Sequence, residues 1–254
     1  MTSMRYAILS DIHGNLHALE AVLADIAAAG GVDGYLLLGD YAAIGPDPVA
    51  VIDRIRALPN ATFVRGNTDR YASSAGMVEK WVGEMQTAPG ERWLPVACAL
   101  MWTMGATLAG GRQAWLGGLP VEARLSLPDG TRVLCVHAAP GTDDGRGLPP
   151  DLSDDELAAA LVGCDADLVL IGHTHLPFQR TSGNVTVLNP GSLSNSPLSD
   201  LRAKYALLHA DASGYRLEPR QVEYDRDAVI ARIAEVNHPS AAMLTRFMRA
   251  GMRG

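Results

Sequence analysis

Tyr6 to Leu9 is apolar without a break, and the chain then turns polar: Ser10-Asp11-Ile12-His13 sets a carboxylate and an imidazole two residues apart. An apolar run of this kind, cut short by polar residues, reads as a strand covered on both faces. Gly14 permits a tight turn. Asn15 is placed to cap a helix in which Leu16, Leu19, Val22, Leu23 and Ile26 recur at helical spacing. Asp11 and His13 therefore stand at the carboxyl end of a strand, where open α/β sheets hold their ligands. A carboxylate and an imidazole together suit a divalent metal such as zinc, manganese or iron.

The pattern repeats along the chain. Gly34 to Gly39 reads as a second buried strand and ends on Asp40. Asp47 is placed to cap a helix with Pro48 at its first position, running through Val51, Ile52 and Ile55. Thr62-Phe63-Val64 reads as a third strand and leads into Arg65-Gly66-Asn67-Thr68-Asp69. Strand, helix, strand, helix, strand is the doubly wound pattern. Residues 70–120 differ: they hold Trp81, Trp93, Trp102 and Trp115, and Val96 to Leu108 reads as a buried helix. We expect a helical insertion there, packed over one side of the sheet.

From Val121 the pattern returns to strands. Two of them flank Pro128-Asp129-Gly130, and the second ends on His137. Residues 138–150 are rich in Gly, Asp and Pro, a loop long enough to cover a site. Ser153 and Glu156 form a capping box. Asp167 to Ile171 reads as another buried strand and exits into Gly172-His173-Thr174-His175. A hairpin is expected over 178–188, and two strands near 204–210 and 215–221 are expected to complete a second sheet. Residues 226–250 read as amphipathic helix.

The chain has 254 residues, 48% of them hydrophobic, which suffices for one large domain. A net charge of -7 argues against a nucleic-acid groove as the default without excluding nucleic acid, because two bound dications would cancel four charges locally. Cys98, Cys135 and Cys164 form neither a metal spacing nor a disulfide framework, so a reducing cytoplasm is expected. The N-terminus lacks a signal-peptide pattern, and no uninterrupted apolar run approaches about 18 residues, so no membrane span is expected.

Five strand exits thus carry Asp11 with His13, Asp40, Asn67, His137, and His173 with His175. Polar groups gathered at one sheet edge repel one another and lose hydration unless something binds them. The ordered set DIHGN, GDY, GNTD, the histidine after VLCV, and GHTH resembles the calcineurin-like metallophosphoesterase superfamily, over about the first 195 residues. DIHGNLHALEAVL and the GPDP loop are most similar to its bacterial and archaeal phosphodiesterase-like branch. The resemblance implies a four-layer αββα sandwich, two mixed β-sheets flanked by helices, in a single domain. It implies two divalent metals (Mn, Fe, Zn or Ni, with manganese placed first). Asp11, His13 and His175 would hold one, and Asn67, His137 and His173 the other, with Asp40 bridging them. A metal-bridging hydroxide would then attack a phosphate ester, with Asp40, Asn67 and His137 at the reacting centre.

One position departs from the family pattern. Thr68 stands where many members have a histidine that serves as general acid, and Asp69, which would orient that histidine, is left without it. A neutral hydroxyl cannot protonate an alkoxide leaving group in the same way, so phosphodiesters with good leaving groups are favoured over alkyl monoesters. Asn15, Arg65, Arg70 and Arg146 are the candidates for substrate contact, with Asn15 and Arg70 placed first. The expected partner is a small phosphate ester, a nucleotide among the choices, and the C-terminal helices are candidates for a homo-oligomer contact. The rival readings are a protein or dinucleoside-polyphosphate phosphatase, and a non-catalytic scaffold on the same fold.

Overall fold

β1 (Met4–Leu9) and β2 (Gly34–Leu37) pair in parallel, with Ile8 opposite Leu36. They are joined by helix α1 (Leu16–Ala28), which Asn15 caps by accepting the Ala18 N–H at 3.0 Å. β3 (Ala61–Phe63) joins β2 in parallel after α2 (Pro48–Arg56). The protein is described from a computed structural model covering residues 3–74, 76–77 and 94–252. Trp81 and Trp93 lie outside the described residues.

After the short helix α3 (Asn67–Ser73) come α4 (Leu94–Ala109) and α5 (Gln113–Gly117). β4 (Glu122–Ser126) and β5 (Arg132–Val136) form the expected hairpin. Helix α6 (Asp154–Ala160) begins at the Ser153–Glu156 capping box. β6 (Leu168–Leu170) then lies parallel to β5, and β7 (Phe178–Ser182) and β8 (Val185–Asn189) make a second hairpin. This sheet has the order β4-β5-β6-β8-β7.

The last two strands correct one expectation. β9 (Ala203–Asp211) and β10 (Gly214–Val222) extend the first sheet, not the second, in the order β10-β9-β1-β2-β3. β9 lies antiparallel to β1, with Ala206 opposite Ile8. Ala203 to Leu208 are all buried, so this run belongs inside a sheet, and the free side of β1 is where it fits. β10, whose residues are part-buried or exposed, forms the edge.

Two mixed five-stranded sheets face each other. Ile8, Leu36, Val64, Val133, Cys135, Leu168, Leu170 and Leu208 fill the space between them. The alternate residues Ala7, Leu9, Leu37 and Leu207 pack outward with Leu19, Val22 and Ile26 of α1 and Ile52 and Ile55 of α2. On the far side, Leu134, Val136, Val169 and Val187 pack with Leu157 and Leu161 around α6. Adjacent residues on one strand thus face different layers, which is why the strands read as unbroken apolar runs. The layers are αββα.

The C-terminal part is two helices, α7 (Arg226–Glu235) and α8 (Ala241–Ala250). Asn237 takes a positive φ of 50° and Pro239 comes two residues later, which ends the first helix. Val229, Ile233, Leu244, Phe247 and Met248 pack with Ala43, Ile44 and Leu100, over the loop after β2. Asp47 is the first residue before α2, yet its carboxylate makes no capping bond; it takes Arg232 of α7 at 2.8 Å.

Candidate metal centre

The five exits come from two sheets, three from the first and two from the second. They are laced together by backbone. Asp11 N–H donates to Gly39 O at 3.1 Å, His13 N–H to Asp40 O at 2.9 Å, and Gly172 N–H to His137 O at 2.8 Å. Asp11, His13, Asp40, His173 and His175 all have φ between 52° and 67°. Non-glycine residues rarely adopt this left-handed region, and strained backbone held in place by its surroundings clusters at functional sites. The approach between exits is close. A Cβ on Gly66 would overlap the Asp40 carboxylate, and one on Gly172 would overlap Ser10 Oγ.

Three imidazoles are fixed from behind. His137 Nδ1 lies 2.6 Å from Leu38 O, His175 Nδ1 lies 2.8 Å from Asn195 O, and His13 Nδ1 contacts Ala43 O. A carbonyl can only accept, so each Nδ1 carries a proton and Nε2 is the atom that each ring turns inward. His13 Nε2 and His175 Nε2 then face each other at 3.0 Å. Asp11 Oδ1 lies 3.3 Å from His175 Nε2 and 3.9 Å from His13 Nε2. This oxygen is buried and has no hydrogen-bond partner among the described residues. Its sister Oδ2 accepts from Ser10 Oγ at 2.7 Å and from His173 N–H at 3.2 Å, which holds Oδ1 toward the two rings.

The second cluster has the same character. Asn67 Oδ1 stands 3.1 Å from His137 Nε2 and 3.0 Å from His173 Nδ1. Asp40 lies between the clusters: Oδ2 is 3.7 Å from His13 Nε2, and Oδ1 is 3.5 Å from His137 Nε2. Within the set, Asp11, His13 and His175, and also Asp11, Asp40 and His137, each bring ligand atoms within 4.8 Å of one another. The donor set, nitrogen and carboxylate oxygen with one amide, fits divalent transition metals.

Charge agrees with geometry. Burial raises both carboxylates, but the imidazoles beside them win and hold Asp11 and Asp40 below the ordinary range. Burial likewise opposes a proton on His137, yet Asp40 pushes that group up to about 10. His13, where burial prevails, is pushed down.

Asp69 is not an orphan. Its carboxylate accepts the backbone N–H of Asp40 at 2.8 Å, of Tyr41 at 2.9 Å and of Gly66 at 3.0 Å, binding the second exit to the third. Burial, reinforced by Asp40, raises it to about 7. Thr68 N–H donates to Asp40 Oδ1 at 2.9 Å, while its hydroxyl has no partner among the described residues.

Asn15 lies by His13 with both ends engaged, the oxygen on α1 and Nδ2 on Ser194 Oγ at 3.1 Å. Arg70 stacks on Tyr71 and pairs with Asp143 at 3.1 Å and Asp144 at 2.6 Å. Arg65 also meets Asp143, at 2.7 Å. The 138–150 loop is thus pinned to α3, and Gly145 O reaches His173 Nε2 at 2.9 Å. Asn67, Thr68 and His173 are partly exposed while the other ligand candidates are buried, so the cluster opens on that side.

Supporting hydrogen bonds complete the frame. Asn189 Nδ2 donates to Gly172 O at 2.6 Å and Thr174 Oγ1 at 3.1 Å, and Ser192 Oγ donates to Asp11 O at 2.9 Å. Ser10 and the carbonyls of Leu38, Ala43 and Asn195 carry no sequence signal of their own, because they act through backbone placement that only the fold supplies.

An uncharacterized protein of Methanocaldococcus jannaschii is 29% identical over 94% of this chain and 96% of its own. A hypothetical protein of Pyrococcus horikoshii shares the fold, with a TM-score of 0.82, 20% identity and 98% of each chain covered. A metallophosphoesterase of Sphaerobacter thermophilus is 27% identical with a TM-score of 0.76, covering 98% of this chain and 100% of that one. The family model for the calcineurin-like phosphoesterase superfamily domain matches residues 4–213, and the chain belongs to that superfamily.

Proposed function

We propose that the protein is a dinuclear-metal phosphoesterase that prefers phosphodiesters with good leaving groups. The observation that carries this reading is the buried Asp11 Oδ1, without a hydrogen-bond partner among the described residues, aimed at two facing Nε2 atoms. Asp11, His13 and His175 would hold one ion, Asn67, His137 and His173 the other, and Asp40 would reach both. Manganese is the first candidate. Bound there, two divalent cations would activate water and take up charge developing on the phosphoryl group.

The chain's own residues set the rest of the chemistry. The carbonyls behind His13, His137 and His175 hold Nδ1 and turn Nε2 inward, so each ring would be placed to ligate without rotating. Asp69 holds the Asp40 and Asn67 exits in register through backbone N–H groups. Thr68 has no proton to give at neutral pH, and Arg70, held by two aspartates, keeps its proton in any case. The leaving oxygen therefore departs unaided by an acid at this position, which favours aryl and nucleotide diesters.

The test is kcat/KM for phosphate diesters and monoesters of graded leaving-group pKa, with manganese, nickel, magnesium and zinc supplied in turn. Metal-dependent turnover of aryl diesters is expected. No hydrolysis of any ester with any metal would leave the fold as a binding scaffold.

A further inference from the structure

Tyr71 stands one turn after Asn67 in α3, on the same side of the helix. Its ring packs against the apolar cluster that holds Ala43, Ile44 and Leu100, and the Arg70 guanidinium lies over it. Its hydroxyl has two partners: it lies 2.5 Å from Asp144 Oδ2, and it meets the side chain of Asn67. Asp144 Oδ2 also takes Arg70 at 2.6 Å, and its Oδ1 takes the Gly145 N–H at 2.7 Å. A phenol has one proton and a carboxylate only accepts, so that proton goes to Asp144. The hydroxyl oxygen is left as an acceptor, and Nδ2 is the end of Asn67 that can satisfy it. Oδ1 is thereby turned the other way, toward His137 Nε2 at 3.1 Å and His173 Nδ1 at 3.0 Å. The two ends of an amide have nearly the same shape, and its partners decide which end points where. Turned over, Asn67 would offer two N–H donors to a cation.

The next residue of the same loop holds the neighbouring ligand candidate. Gly145 O lies 2.9 Å from His173 Nε2, which fixes the proton there and turns Nδ1 toward Asn67. His13, His137 and His175 are set the other way round, held at Nδ1. Asp144 and Gly145 therefore orient two of the three residues assigned to the second ion, one through Tyr71 and one directly. Asp11, His13 and His175 draw on Ser10, Ala43 O and Asn195 O instead.

We propose that Tyr71, steadied by Asp144, is a positioning residue that keeps the oxygen of Asn67 toward the second ion, and so sets the affinity of that ion and not of the first. The inference rests on the two-ion reading of the centre given above.

The test is calorimetric titration of the metal-free full chain with manganese, in wild type and in Tyr71→Phe, a change that removes the hydroxyl and leaves the ring. The second binding step is expected to weaken about 10- to 100-fold and the first to change by less than about twofold. Electron paramagnetic resonance with two manganese ions supplied per chain gives a readout free of activity: a spin-coupled pair in wild type, isolated ions in Tyr71→Phe. A carboxylate has no donor end to turn inward, so in an Asn67→Asp background Tyr71→Phe should leave the second step unchanged. Fewer than two ions on the wild type would overturn the two-ion reading and this inference with it. Two ions on the wild type, with the second step equally tight in Tyr71→Phe, would overturn this inference alone. Equal weakening of both steps, or a loss of about tenfold that persists in Asn67→Asp, would do the same, because the hydroxyl would then be a general support of the fold.

Discussion

Asp69 accepts the backbone N–H of Asp40 at 2.8 Å, and so fixes the residue proposed to reach both metals without touching its side chain. The same carboxylate takes the N–H groups of Tyr41 and Gly66. Asp69→Asn keeps the shape but turns one acceptor oxygen into a donor that faces N–H groups. A buried donor left unsatisfied costs about 1–3 kcal/mol. We expect Asp69→Asn to lower the stability of the metal-free protein by that amount in urea unfolding, and to weaken metal binding in a calorimetric titration. Wild-type values in both measurements would mean that the loops hold their register without it.

That role was not legible in the sequence, where Asp69 reads as the companion of a histidine that Thr68 replaces. Motif reading gives residue types at strand exits, and the fold does bring Asp11, His13, Asp40, Asn67, His137, His173 and His175 to one place. It cannot give the partners that act through backbone, such as Leu38 O behind His137 or Asn195 O behind His175. Arg70 likewise reads as a cation beside a phosphate site, because Asp143 and Asp144 lie more than 70 residues away along the chain. Both sheets were legible as apolar runs, but the place of β9 was not. An apolar run buried on two faces shows that a strand is internal, and says nothing of which sheet holds it.

Thr68 sets the second expectation. Positioned acid catalysis is typically worth about 100- to 10,000-fold. Wild-type kcat/KM should therefore fall steeply as leaving-group pKa rises. Thr68→His should raise activity on alkyl esters selectively, but by less than about 100-fold, because Asp69 is already engaged by three backbone N–H groups and is poorly free to orient a new ring. A flat leaving-group dependence in the wild type would show that another group already serves as the acid.

His238 supplies a pH dependence. It is 3% exposed, rests against the Trp102 ring, and accepts the Ser240 N–H on Nδ1. Burial pushes it down to about 4. Its folded value lies below its unfolded value of about 6.5, so the folded state binds fewer protons, and stability falls as pH drops from about 6.5 toward 4. At about 1.4 kcal/mol per pH unit, the loss attributable to this residue is about 3 kcal/mol. His238→Gln should flatten the unfolding free energy between pH 4 and 6.5 relative to wild type. Parallel curves for the two proteins would place the acid sensitivity elsewhere.

The central claim is that Asp11, His13, Asp40, Asn67, His137, His173 and His175 hold two metal ions with Asp40 between them. Its most direct test is metal stoichiometry by elemental analysis after loading with manganese and removing free metal, in wild type and in Asp40→Ala. Two ions per chain are predicted in the wild type and fewer than one in Asp40→Ala, with the variant still folded by circular dichroism. A wild-type protein that retains no metal, or an Asp40→Ala protein that retains two ions, would contradict it.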